Sequence, residues 1–196
     1  VYLYISMRRG GRFIYALDVT DPDQPKFMWK RDNTSPGYDE LGQSWSEPKV
    51  RKIRASTNPV LIFGAGYDAA VEDQDPVPSG TTNSMGRGIF VVDGITGNVL
   101  WQAGPVAPST LSPGEVFQTV TAMTFAIPSD VSILDRNSDG YADRLYVGDT
   151  GGNVWRADIN DVLPANWTVN KLAALGFAAS GTVGSRRKFL YPPDVV

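Results

Sequence analysis

One pattern occurs three times and narrows what this chain can fold into. Gly11 leads to Ile14, Tyr15, Leu17 and Asp18; Gly86 leads to Ile89, Phe90, Val92 and Asp93; Gly151 leads to Val154, Trp155, Ala157 and Asp158. Each copy reads glycine, two spacers, an aliphatic, an aromatic, one spacer, a small or aliphatic residue and an aspartate. Successive side chains on a strand face opposite sides, so the adjacent aliphatic and aromatic serve two different layers. A strand covered on both faces and repeated along the chain suits the blades of a β-propeller, whose sheets stack face to face.

Partner strands are expected where hairpins place them. Residues 1–6 precede the turn Arg8-Arg9-Gly10-Gly11, and residues 145–147 precede Asp149-Thr150-Gly151-Gly152, both glycine-containing connections that tolerate positive φ. A further strand follows each of the first two repeats, at 26–30 and 98–102. These carry Trp29 and Trp101, read either as wedges between blades or as ordinary core filler.

The repeats lie 75 and 65 residues apart. An ordinary blade takes about 40–50, so inserted loops must supply the difference. The stretch 72–86, with Pro76, Pro78, Ser79 and Gly80, has no periodicity and reads as a surface insertion. Its acids Glu72, Asp73 and Asp75 read as solvated, with cation binding the alternative. A short helix is predicted over 169–175, ended by Gly176. The expected fold is all-β: residues 1–196 as a fragment of one β-propeller domain, with long inserted loops and at most one or two short helices. The 20 glycines and 14 prolines suit that punctuation. The chain starts on a strand-like run and stops soon after Tyr191-Pro192-Pro193, so it is expected to be a piece of a larger protein, with any export signal upstream.

Composition removes whole classes of chemistry. There is no cysteine and no histidine, which excludes thiolate nucleophiles, Cys/His zinc sites, Ser-His-Asp triads and imidazole bases. With a net charge of -3 and scattered basic residues, no face for nucleic acid or anionic lipid stands out. The one basic cluster, Arg186, Arg187 and Lys188, reads as a solvated turn. No apolar run reaches the roughly 20 residues that a membrane-spanning helix needs. Gly64-Ala65-Gly66 follows an apolar run but precedes no convincing helix, so it reads as a turn at a strand end and not as a dinucleotide fingerprint. What remains for chemistry is carboxylate oxygen.

That oxygen is concentrated in residues 135–143, between a strand-like run at 131–134 and the strand at 145–147. The spacing is D-x-N-x-D-G-x-x-D, from Asp135 through Asn137, Asp139 and Gly140 to Asp143. Calcium takes about six to eight oxygens, and a tight loop can present them from alternate positions. Asp135, Asn137 and Asp139 are therefore candidate side-chain ligands, and the Tyr141 carbonyl the next, brought round by Gly140. An EF-hand closes with a glutamate on an outgoing helix; here Asp143 is the closing carboxylate and a strand follows. The site is a shortened EF-hand-like loop, preferred for calcium over magnesium, with affinity in the range of about 10⁻⁶ to 10⁻³ M. The alternative is a turn in which Asp and Asn bond only their own backbone.

The stretches Met7-Arg8-Arg9-Gly10-Gly11-Arg12, Tyr15-Ala16-Leu17-Asp18-Val19-Thr20, Phe63-Gly64-Ala65-Gly66-Tyr67-Asp68, the loop 135–143, Tyr146-Val147-Gly148-Asp149-Thr150-Gly151-Gly152-Asn153-Val154-Trp155-Arg156 and Tyr191-Pro192-Pro193 together resemble the C-terminal domain of PilY-type (PilC-type) type IV pilus proteins. The resemblance implies a modified propeller of the quinoprotein-like type, located outside the cell at the pilus tip or outer surface. It implies partners among the minor pilins of the tip complex, and a host or abiotic surface. Calcium ligand roles carry over onto Asp135, Asn137, Asp139, Tyr141 and Asp143. Three readings follow: a calcium module that biases pilus extension against retraction and supports twitching motility and adhesion; a quinone (PQQ)-dependent dehydrogenase on the same propeller; and an adhesin that calcium merely stabilises. The first is non-enzymatic and is preferred, because no base and arginine converge on a pocket in the sequence.

Overall fold

A computed structural model describes residues 1–74, 77, 80–176 and 187–195. The backbone forms three sheets. The first is antiparallel and holds β1 (Tyr2–Ser6), β2 (Phe13–Asp18) and β3 (Lys26–Asp32) in that order. The second holds β4 (Lys49–Arg51), β5 (Val60–Gly64), β6 (Ile89–Asp93), β7 (Val99–Gly104) and β8 (Val116–Thr119), with β8 added parallel to β7. The third holds β9 (Ser132–Leu134), β10 (Arg144–Gly148), β11 (Asn153–Asp158) and β12 (Thr168–Ala174). One short helix, α1 (Ala69–Glu72), and two 3₁₀ turns complete the described elements. The three repeats form β2, β6 and β11, each paired on both sides, so every sheet is one blade of a partial β-propeller.

The two-layer reading of the repeats is visible in the packing. On the middle blade, Val60, Ile62, Ile89, Val91 and Trp101 share an apolar cluster with Leu145, Val147, Trp155 and Ala157 of the third blade. The intervening side chains Leu61, Phe63, Phe90 and Val92 point the other way, into a cluster with Ile14, Ala16 and Trp29 of the first. Every residue of β5 and β6 is buried, because a middle blade has no solvent face. Fully burying each such aliphatic or aromatic side chain contributes about 1.5–3 kcal/mol, so these two interfaces carry most of what holds the blades together.

Both tryptophans sit between blades, which settles them as wedges. Trp29 donates its indole N–H to the Gly94 carbonyl of the middle blade at 3.1 Å. Its ring also lies over Gly97, where an added Cβ would come within 2.7 Å of it and where φ is +71°. Glycine is required there on both grounds. Trp101 packs against Trp167, with ring centroids 5.4 Å apart, across the boundary with the third blade.

Three expectations need correction. The helix expected at 169–175 is the strand β12, paired with β11 from Thr168 to Ala174. A seven-residue helix is marginal in water, and the open edge of β11 supplies a backbone ladder instead. Glu72 in the 72–86 insertion is not solvated: its side chain is wholly buried, accepting from Asn83 Nδ2 at 2.9 Å and Thr150 Oγ1 at 2.7 Å. The basic cluster is not a free turn either, since Lys188 pairs with Glu72 at 2.7 Å. Asp75 and Arg186 lie outside the described residues. Asp73 stays at the surface and takes the Arg9 guanidinium at 2.8 Å and the Tyr67 hydroxyl at 2.7 Å. Gly64-Ala65-Gly66 is the expected turn at a strand end, ending β5 with Gly66 at φ +110°.

Candidate metal centre

The loop 135–143 joins β9 to β10, which pair antiparallel with Leu134 opposite Arg144. Its outgoing end is firmly held. Asp143 N–H donates to the Leu134 carbonyl at 3.0 Å, Ala142 N–H donates to the Lys52 carbonyl at 2.8 Å, and Ala142 is buried in the core between the second and third blades. The head of the loop, from Arg136 to Tyr141, is exposed.

The backbone of that head bends around its own carboxylates. Ser138 and Gly140 have φ of +60° and +89°. Asp135 accepts the Asp139 amide at 3.2 Å on one oxygen and the Gly140 amide at 2.8 Å on the other. Asp139 accepts the Tyr141 amide at 3.0 Å through Oδ1, and Asn137 turns its Nδ2 to Asp139 Oδ2 at 3.1 Å. Asp143 lies deeper and accepts the Arg136 amide at 2.9 Å. Four of the five expected ligand residues are thus linked by side-chain hydrogen bonds around the turn, and Asp143 closes it from below.

One participant carries no sequence signal. Arg54, in the connection between β4 and β5, reaches across from the second blade and donates through Nη1 to Asp143 Oδ1 at 2.7 Å and through Nη2 to Asp139 Oδ2. Its guanidinium lies over the Tyr141 ring, 5.6 Å from the centroid. Side-chain exposure is 25% for Arg54, 35% for Asp139 and 7% for Asp143, so the pair to Asp143 is the better shielded. Burial works to raise the Asp143 carboxyl, but the Arg54 guanidinium and the Arg136 amide overcome it and hold the group below the usual carboxylate range. A cavity of about 620 Å³ opens beside this pair, lined by residues 52–57 with Tyr141 and Val162.

The donor set suits a hard cation: three carboxylates, a carboxamide oxygen and a backbone carbonyl within nine residues, on a backbone already kinked at Ser138 and Gly140. Among the described residues no three acidic side chains converge as a metal ion requires, and Asp143 has both oxygens engaged by Arg54 and Arg136.

Comparison with known proteins bears on the whole chain. No family model matches it. A type IV pilus biogenesis factor, PilY1, of Pseudomonas aeruginosa strain UCBPP-PA14 is 28% identical over 211 aligned residues, covering 97% of this chain and 16% of the relative. PilY1 of strain PAO1 is 30% identical over 160 residues, covering 79% of this chain and 11% of the relative. The crystal structure of the P. aeruginosa PilY1 C-terminal domain superposes with a TM-score of 0.58 at 26% identity, covering 81% of this chain and 26% of that one. The chain belongs to the PilY1 type, within its C-terminal domain. It spans under a fifth of the length of these PilY1 relatives. Among the described residues no helix of this PilY1-type segment is long and apolar enough to cross a membrane.

Proposed function

We propose that this chain is the calcium-binding segment of a type IV pilus biogenesis factor, acting outside the cell at the pilus tip or outer surface. In this reading calcium occupancy biases pilus extension against retraction and supports twitching motility and surface adhesion, with minor pilins of the tip complex as partners. The PilY1 likeness supports the pilus assignment. The observation that carries the calcium assignment is the loop itself: Asp135 and Asp139 fold the backbone amides of residues 139–141 around them, and Asp139 and Asp143 already attract a cation in the Arg54 guanidinium.

When bound, the ion would supply a doubly charged centre for Asp135, Asn137, Asp139, Asp143 and the Tyr141 carbonyl. The chain's own part is transmission. Ala142 N–H binds Lys52 in the second blade while Asp143 N–H binds Leu134 in the third, so the loop straddles the blade boundary. Order gained in the loop is therefore order gained at that boundary. The role proposed is binding rather than catalysis, and purified full-length protein should show neither quinone absorbance nor dye-linked alcohol oxidation.

Calorimetry on the full-length protein tests the site. Wild type should bind calcium and Asp139→Ala should lose it; equal binding by the two would remove the loop from the account. Motility of cells carrying Asp139→Ala separates regulation from simple stabilisation, because a folded, surface-displayed variant with normal twitching would leave calcium a structural role only.

A further inference from the structure

Resting on the calcium reading above, we infer that Arg54 is a resident counter-cation of the 135–143 loop, which calcium must displace, so that ion binding exchanges the Arg54 bridge between the second and third blades for the ion. Three observations carry this. Arg54 bridges Asp139 and Asp143 from another blade, spending its two terminal nitrogens on two of the expected metal ligands. The acidic side chains do not converge among the described residues, and Asp143 is held by Arg54 on one oxygen and by the Arg136 amide on the other. The guanidinium also has somewhere to go, since the cavity beside it is bounded by Arg54 itself, Ser56, Thr57 and Tyr141.

The physical conflict is direct. A carboxylate oxygen that faces a guanidinium cannot also face a dication a few ångströms away without placing like charges side by side in a partly shielded site. Two cations that compete for the same carboxylates are negatively coupled, and the coupling is reciprocal: whatever Arg54 takes from calcium affinity, calcium takes from the Arg54 bridge. Tyr141 serves both cations. Its ring supports the guanidinium, and its carbonyl is an expected calcium ligand. Arg54 therefore sets the affinity of the loop and converts ion binding into a change at the blade boundary, without being a ligand.

The test compares calcium titrations of full-length wild type, Arg54→Gln and Arg54→Lys by calorimetry at one ionic strength, with Asp139→Ala as control. Removing a partly shielded ion pair of this kind should tighten calcium binding about five- to tenfold in Arg54→Gln, while Arg54→Lys, which keeps the charge, should stay near wild type. Binding by Arg54→Gln alone, with wild type silent, would also support the inference. Equal or weaker binding by Arg54→Gln beside a wild type that binds would overturn it and leave the calcium site standing. Binding by none of the three would remove the calcium site and the inference together. A structure of the calcium-bound wild type gives an independent readout that needs no variant to fold. Arg54 should have left Asp143, and an Arg54–Asp143 bond intact beside bound calcium would overturn the proposal.

Discussion

The two ends of β10 carry aspartate-bearing connections that solve the same problem in opposite ways. At the outgoing end Asp149 is completely buried and saturated by fixed neutral donors: the amides of Gly151 and Asn153, both at 2.9 Å, the Asn153 carboxamide, and the Trp155 indole at 2.7 Å. At the incoming end Asp135, Asp139 and Asp143 also collect backbone amides, but two of them complete their shell with Arg54, a side chain from another blade. A carboxylate closed by its own hairpin is structural. One completed by a borrowed cation is exchangeable, and exchange is what an ion site needs. Type of residue does not separate the two ends; what separates them is whether the missing partner is covalently nearby.

Several measurements can break or sharpen that contrast. The largest effect belongs to the closed end. Asp149→Ala leaves the Trp155 and Asn153 donors buried without an acceptor and should cost about 3 kcal/mol or more in a urea unfolding series. Calcium affinity should not change, because no bond of the 135–143 loop is touched. At the open end Asp139→Ala should cost less than about 1 kcal/mol without calcium, as exposed pairs do. It should also abolish the stabilisation of about 2.7 kcal/mol that wild type gains from ligand at a hundredfold excess over Kd. If removal of calcium by chelator lowered the midpoints of Asp139→Ala and wild type alike, the contrast between the ends would collapse.

Smaller effects refine it. Gly140 has φ of +89°, and an added Cβ would meet nothing within 4 Å, so Gly140→Ala carries conformational strain alone. It should cost roughly 1 kcal/mol and weaken calcium binding without disturbing Asp149, which the same urea and calorimetric series would show. Smallest of all is a case between the two ends. Asp32, at the end of β3, is held at about 2 by the Thr34 hydroxyl first and the Thr34 amide next, against the opposing effect of burial and with help from Lys30. A depressed carboxylate pKa contributes stability that is full above the unfolded value near about 4 and lost as pH falls towards about 2. Thr34→Ala should therefore lower the urea midpoint slightly at neutral pH and flatten its decline over that acid window.

Much of the architecture was legible because it is written locally. A strand buried on both faces must alternate two kinds of apolar side chain, and Ile89, Phe90, Val91 and Val92 do so with Ile89 and Val91 in one cluster and Phe90 and Val92 in the other. The reading of 169–175 as a helix failed because the open edge of β11, which captures that segment, is not encoded in the segment itself. Glu72 was misread for a related reason: beside Asn83 of its own insertion, its partners Thr150 and Lys188 arrive from 78 and 116 residues away, and an acid's solvation depends on who else is there.

The candidate site divides along the same line. Spacing alone placed Asp135, Asn137, Asp139 and Asp143 in one short loop and asked for glycine at 140, where φ is positive, because a nine-residue loop keeps its own atoms close. Only the tertiary structure decided that Arg54 stands among them. It lies 89 residues upstream of Asp143, in a different blade, and nothing in its neighbourhood sets it apart from any other surface arginine. Charge acts through space and not along the chain, so the cation that balances a carboxylate is known only once the blades have packed.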